Sequence, residues 1–238
     1  MSETSLRLFV VSPHFDDAVF SCGALLATHP DAVVCTVFAA PPEQDMHTKS
    51  DNEAGFASAH EAVHARTLED NHALEVLDAI PVRMPFCDGQ YLDSPSIGKL
   101  AAALEETIYR STANTLLMPL GLVHPDHALV FDACCEILPR LSHLAWFAYE
   151  EAIHRRVPGV VQARMVDLAQ RGIVATPAHP ADGHTLDAER QAFLKREAVY
   201  AYESQLRTFG PHGCDDAFAA ERYWQLSVSR TPGHRTKK

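Results

Sequence analysis

Apolar residues along the chain fall into short dense runs, each followed by a longer stretch in which they recur at helical spacing. Residues 6–12 are a β-rich apolar run, and 17–29 place Val19, Phe20, Cys22, Leu25 and Leu26 on a helical core face. Residues 32–40 (AVVCTVFAA) predict a second buried strand closed by Pro41-Pro42, followed by one long charged helix over 51–78. The run 80–86 contains Pro81 and Pro85 and so predicts an edge strand. Further on, 97–110 predicts a helix, 114–120 a strand, 126–138 a helix and 141–149 a strand. Strands that are apolar throughout, rather than alternating, are buried on both faces. The alternation therefore predicts an α/β fold: a Rossmann-like three-layer sandwich with a mostly parallel sheet and helices on both faces.

After residue 150 the pattern loosens. Pro158, Pro177, Pro180 and Gly183 predict an irregular segment over 150–185, then one long helix over 186–209 and a basic frayed tail over 231–238. The 238 residues are expected to form a single domain.

Composition narrows the function classes. Twenty Lys+Arg against 31 Asp+Glu leave a net charge of −11, which disfavours binding to phosphate backbones, so no nucleic-acid partner is expected. No run approaches the roughly 20 apolar residues of a membrane span. The apolar run near the N-terminus is too short for a secretory leader. The six cysteines lack Cys-x-x-Cys spacing and read as buried free thiols of a cytoplasmic protein. Nothing in the pattern decides whether chains pair as homo-oligomers.

Two short segments carry the chemistry. His14, Asp16 and Asp17 sit where the first strand gives way to the first helix, and His124 and His127, in His-Pro-Asp-His, follow the strand over 114–120. Ligands of open α/β sheets bind at the carboxyl ends of strands, so both loops can face one crevice. Three N/O ligands with an open position form the pattern of a catalytic zinc site. Asp16 beside Asp17, and His124 one turn from His127, leave a spare carboxylate and a spare imidazole for proton transfer and oxyanion stabilisation. Helix capping by either Asp and ordinary surface histidines are the bland alternative. A competing motif is His60-Glu61-Ala62-Val63-His64, which matches the H-E-x-x-H of zincin proteases. Its extended form fails, because Thr67 and Asp70 stand where Gly and His belong. The Gly-rich dinucleotide, P-loop and G-x-S-x-G signatures are absent.

At these residues the sequence resembles the LmbE-like, or PIG-L, family of zinc-dependent N-deacetylases. That family carries P-H-P-D-D-E after its first strand and H-P-D-H later; here they read PHFDDA and HPDH. The segments RTLED (66–70), PFCDGQY (85–91) and the helix with Lys195, Ala198, Tyr202, Ser204 and Gln205 are similar to further family segments. The resemblance implies hydrolysis of an N-acetyl (N-acyl) group on an amino sugar or sugar-containing small molecule. It implies zinc, or another divalent ion such as iron(II), on His14, Asp17 and His127. Asp16 would be the general base and His124 the oxyanion stabiliser or general acid, with Arg66 and Asp88 contacting substrate. It makes the HEAVH string a coincidence. A protease, or an α/β metal-binding protein without turnover, remains the alternative. Two departures stand out: Phe15 replaces the second Pro and Ala18 the Glu.

Overall fold

The structure, a computed structural model, describes residues 6–91, 94–180 and 186–229. Seven strands form one sheet in the order β3-β2-β1-β4-β5-β7-β6. They are β1 (Leu8–Ser12), β2 (Val33–Thr36), β3 (Ile80–Arg83), β4 (Thr115–Pro119), β5 (Ala145–Tyr149), β6 (Ile173–Pro177) and β7 (Tyr223–Val228). Pairing is parallel from β3 through β5, and β7 runs antiparallel to both β5 and β6. The sheet is therefore mostly parallel and flanked by helices on both faces, as the sequence pattern predicts.

Burial explains why the first strands were easy to read. Every residue of β1 and β4 is buried, because helices cover them from above and below. On one face α1 (Asp17–Ala27) and α3 (Ala59–Val76) pack with α7 (Ala188–Tyr200) over Val10, Val34 and Leu117. On the other, α4 (Ile97–Arg110) and α5 (Pro125–Ile137) pack together over Phe9, Leu116 and Met118. β3 is an edge strand, as Pro81 within it requires.

Three parts of the C-terminal and helical reading need correction. The helix expected over 51–78 is two, α2 (Lys49–Glu53) and α3. Gly55 lies between them in left-handed backbone (φ 90°), and Ser58 then caps α3. The helix expected over 186–209 is also two, α7 and α8 (Glu203–Phe209), broken at Ala201-Tyr202. The segment 150–185 is not irregular throughout: it contains α6 (Val160–Gln170) and β6. These elements and β7 are half exposed, so their apolar periodicity is weak. The expected tail over 231–238 lies outside the described residues. Among the described residues no helix is long and apolar enough to cross a membrane, and the six cysteines are all buried with no disulfide between them.

Candidate active site

Strand order places the site. From β1 the chain winds outward to β2 and β3, then crosses back to β4 on the other side of β1. The carboxyl ends of β1 and β4 thus flank the crevice where the winding reverses. Ser12 ends β1 and fixes the first loop, donating its hydroxyl to the His14 carbonyl (2.6 Å) and accepting from Ala18 N (3.0 Å). Asp17 accepts the His14 backbone N–H at 2.8 Å. In the second loop Gly121 has φ 73°, and a Cβ there would lie 2.5 Å from Phe131 Cβ, so only glycine fits the turn. His124 caps α5, its Nδ1 accepting from Asp126 N at 3.2 Å, and Pro125 occupies the first helical turn.

These turns bring three donors together. His14 Nδ1 and His127 Nε2 are 3.2 Å apart, and Asp17 Oδ2 lies 3.3 Å from the first and 3.1 Å from the second. A triangle with such edges fits a cation about 2.0–2.2 Å from each corner. Ligand atoms of His14, His124 and His127 also fall within 4.8 Å of one another, as do those of His14, Asp88 and Asp126.

The outer nitrogens of both rings face carboxylates. His14 Nε2 is 3.1 Å from Asp126 Oδ2, which also accepts Gly89 N at 2.9 Å. Gly89 permits this approach: a Cβ there would sit 2.6 Å from Asp126 Oδ1. His127 Nδ1 lies 3.4 Å from Glu151 Oε1 and makes no closer hydrogen bond, although it is buried. Glu151, fully buried at the end of β5, accepts the backbone N–H groups of Leu120 and Leu122. Carboxylates behind histidines are how proteins orient metal-binding imidazoles. This fits a divalent cation at the triangle, with His14 offering Nδ1 and His127 offering Nε2.

Titration behaviour follows the same geometry. Against the cost of burial, the hydrogen bonds and charges of Asp126 and Asp17 raise His14 well above the usual imidazole value. Burial likewise opposes charge on His127, yet Asp17 and Glu151 lift it to about 9. His127 and His14 hold Asp17 well below the carboxylate range despite its burial. Asp16 moves the other way: burial and the adjacent Asp17 push it up. Burial and the neighbouring histidines lower His124 and His154.

A cavity of about 240 Å³ opens over the triangle. It is lined by Asp16, Arg66, Asp88, His124 and His154, by the aromatic Phe15, Phe38 and Phe209, and by the polar Gln90, Gln205 and Thr208. The five residues that the sequence singled out in the HFDD and HPDH loops, and Arg66 and Asp88 from two other segments, are thus all brought to one cavity. Ala18 points instead into the apolar core below the loop. The HEAVH residues are elsewhere employed. His60 Nε2 bonds the Pro42 carbonyl (2.8 Å), Glu61 accepts Ala57 N (2.7 Å) while Ser58 caps the helix through Glu61 N, and the side chains of His60, Glu61 and His64 are exposed on α3. Sequence reasoning missed Glu151 and His154, which follow β5 with no motif spacing; their position at a third strand end is the signal that could have found them.

A mostly parallel α/β sheet with histidines and carboxylates clustered at its switch point defines the class: a Rossmann-like protein with a metal-ligating type of site. Residues 9–138 match the PIG-L family, described as GlcNAc-PI de-N-acetylase, and the chain belongs to that family. No curated protein sequence matches it significantly. Among solved structures, the zinc-inhibited form of the teicoplanin deacetylase Orf2 is similar at 22% identity and TM-score 0.76, over 94% of this chain and 98% of that one. The A40926 pseudoaglycone deacetylase Dbv21 is similar at 21% identity and TM-score 0.74, with the same coverage. The N,N'-diacetylchitobiose deacetylase from Pyrococcus horikoshii is similar at 15% identity and TM-score 0.53, over 85% of this chain and 72% of that one.

Proposed function

We propose that this chain is a metal-dependent N-deacetylase that removes an acetyl group from an amino sugar or a sugar-bearing small molecule. The observation that carries the reading is the triangle of His14 Nδ1, Asp17 Oδ2 and His127 Nε2, with the buried Asp16 carboxylate in the same cavity. His14, Asp17 and His127 would hold the ion, with zinc the first choice and iron(II) the second. When bound, it would polarise the amide carbonyl and make water nucleophilic near neutral pH. Asp16 takes the proton of the attacking water. His124 donates to the developing oxyanion from the N-terminus of α5. Asp16 then passes that proton to the leaving amine, directly or through His124, and acetate departs. Family membership supports de-N-acetylation, and the related structures include deacetylases of sugar-bearing molecules. Aromatic walls beside amide and hydroxyl side chains suit a sugar ring, which stacks and hydrogen-bonds at once. The continuous sheet that carries both loops supports reading the whole chain as one such domain.

The deciding experiment compares metal content and activity on N-acetylated amino sugars for the wild type, His127→Ala, His64→Ala and Asp16→Ala. About one zinc per chain, lost in His127→Ala and kept in the other two, with turnover abolished in Asp16→Ala, supports the reading. Zinc lost in His64→Ala instead would move the metal to α3 and sink it.

A further inference from the structure

The cavity holds an imidazole to which the deacetylase reading gives no task. Two aliphatic β-branched residues, Val123 and Ile153, adopt left-handed backbone, with φ 58° and 73°. Each immediately precedes a cavity histidine, and each is the centre of a three-residue turn. His124 N donates to the Leu122 carbonyl at 2.6 Å, and His154 N donates to the Ala152 carbonyl at 2.8 Å. Ile153, at φ 73° and ψ −55°, has the positive-φ γ-turn geometry, which is rare and strained. A β-branched residue there is a true outlier. Such strain persists only where surrounding contacts over-determine the backbone, and it gathers at functional sites.

Those contacts are present. Ala152 N donates to Ser21 Oγ (3.0 Å), and Ile153 N donates to Asp216 Oδ2 (2.9 Å). The same Asp216 oxygen accepts Arg155 Nε (2.8 Å), and Arg155 also donates to the carbonyls of Asp216 and Ala220. The backbone on both sides of His154 is thus locked, while its ring is not: neither nitrogen hydrogen-bonds to any described residue. The ring stands edge-on to His127, centroids 4.8 Å apart, and opens on the cavity. His124 stands against His127 as well, at 5.3 Å, and comes from a different loop.

We infer that His154 is a second substrate-contacting imidazole, paired with His124 and held by the strained turn at Ile153 to hydrogen-bond the acylated end of the substrate. A locked backbone carrying an unpartnered polar ring into a ligand cavity is a site prepared for a ligand atom. The inference rests on the deacetylase reading for the identity of that atom.

The test uses the metal-loaded full chain, His154→Phe and Ile153→Gly. Phenylalanine keeps a ring against His127 and removes both nitrogens. Binding of acetohydroxamate, a small acyl-bearing chelator, is measured by calorimetry beside kcat and KM on an N-acetyl amino sugar. His154→Phe is expected to keep wild-type metal content and melting temperature and to weaken acetohydroxamate about tenfold, with kcat/KM falling at least as much, as for one lost hydrogen bond. Ile153→Gly relieves the turn and is expected to hold or raise the melting temperature while lowering kcat several-fold. His154→Phe that binds acetohydroxamate like the wild type, or that loses the metal, overturns the inference. So does Ile153→Gly that melts lower with kcat unchanged. A wild type that hydrolyses no N-acetyl sugar overturns the deacetylase reading instead, and acetohydroxamate binding still decides the role of His154.

Discussion

The Tyr202 hydroxyl lies 2.9 Å from Asp70 Oδ1 and 3.0 Å from the carbonyl oxygen of Phe15, the residue before Asp16. All three residues are buried. One phenol thereby ties α3 and the α7–α8 junction to the loop that presents Asp16 and Asp17. The Arg83 guanidinium completes the group, pairing with Asp70 Oδ2 at 2.6 Å and lying over the Phe15 ring. Nearby, Ser204 donates its N–H and hydroxyl to Glu69, clamping α8 to the same helix.

Tyr202→Phe deletes the hydroxyl and leaves the ring in place. It should cost about 1–3 kcal/mol, because Asp70 Oδ1 and the Phe15 carbonyl each lose the phenol as a buried hydrogen-bond partner. For a chain of this size that is a fall of very roughly 2–10 °C in melting temperature. Turnover should drop further than metal content, since the pin acts on the Asp16 side of the loop. Calorimetry and metal analysis of one preparation check both. An unchanged melting temperature would mean that the phenol is not a pin.

Asp70 makes stability depend on pH in an unusual direction. Burial outweighs the pull of Arg83 and Tyr202, and pushes its carboxyl from 3.8 up to about 6. The folded state then binds a proton more readily than the unfolded chain. Asp70's contribution is fully present below its unfolded pKa and is lost as pH rises through about 6, amounting to about 3 kcal/mol at most. Asp70→Asn carries no charge at any pH. The melting temperature of Asp70→Asn minus that of the wild type should therefore rise between pH 4 and pH 7 and then level off. A gap that falls over this range would show that the Arg83 ion pair outweighs burial.

The sequence made the first two loops legible for a physical reason. β1 and β4 are buried on both faces, so their apolar runs are continuous and the polar clusters after them stand out. The third loop was not legible. Glu151 and His154 follow a strand as apolar as β4, but no His-Asp string marks them, and the elements beyond are half exposed. The break at Tyr202 was hidden for another reason. No Gly or Pro marks it, and what turns the chain there is a tertiary contact with Asp70 and Phe15. The HEAVH string was legible but misleading, since Glu61 serves the N-terminus of α3 and both histidines lie exposed on that helix.

Glu151 is the residue whose replacement best separates orientation from ligation. It faces His127 Nδ1 from 3.4 Å while holding two backbone N–H groups of the β4–α5 loop. Glu151→Gln keeps the shape and one acceptor oxygen. Metal affinity, measured by competition with a chelator, should fall about 10–100-fold, the usual effect of losing a carboxylate behind a metal-binding histidine. His64→Ala, on exposed α3, should leave it unchanged. Equal affinities for Glu151→Gln and wild type would remove Glu151 from the support of His127.

Arg66 should serve both stability and substrate, and the two can be measured apart. Its Nη2 pairs with Asp51 Oδ1 at 3.0 Å, with both side chains almost wholly buried. Asp51 also accepts the hydroxyls of Tyr91 (3.1 Å) and Thr48 (2.8 Å) through Oδ2. Yet Arg66 Nε is buried without a hydrogen bond, on a side chain that lines the cavity. Arg66→Met leaves the Asp51 carboxylate uncompensated and should destabilise the fold by about 3–5 kcal/mol. Adding Asp51→Leu removes the stranded charge and should recover a good part of that loss. KM should stay raised in the double variant, because the guanidinium that lines the cavity is still missing. Recovery of stability and KM together would assign Arg66 to the fold alone, and an unchanged melting temperature in Arg66→Met would show that the buried pair contributes nothing.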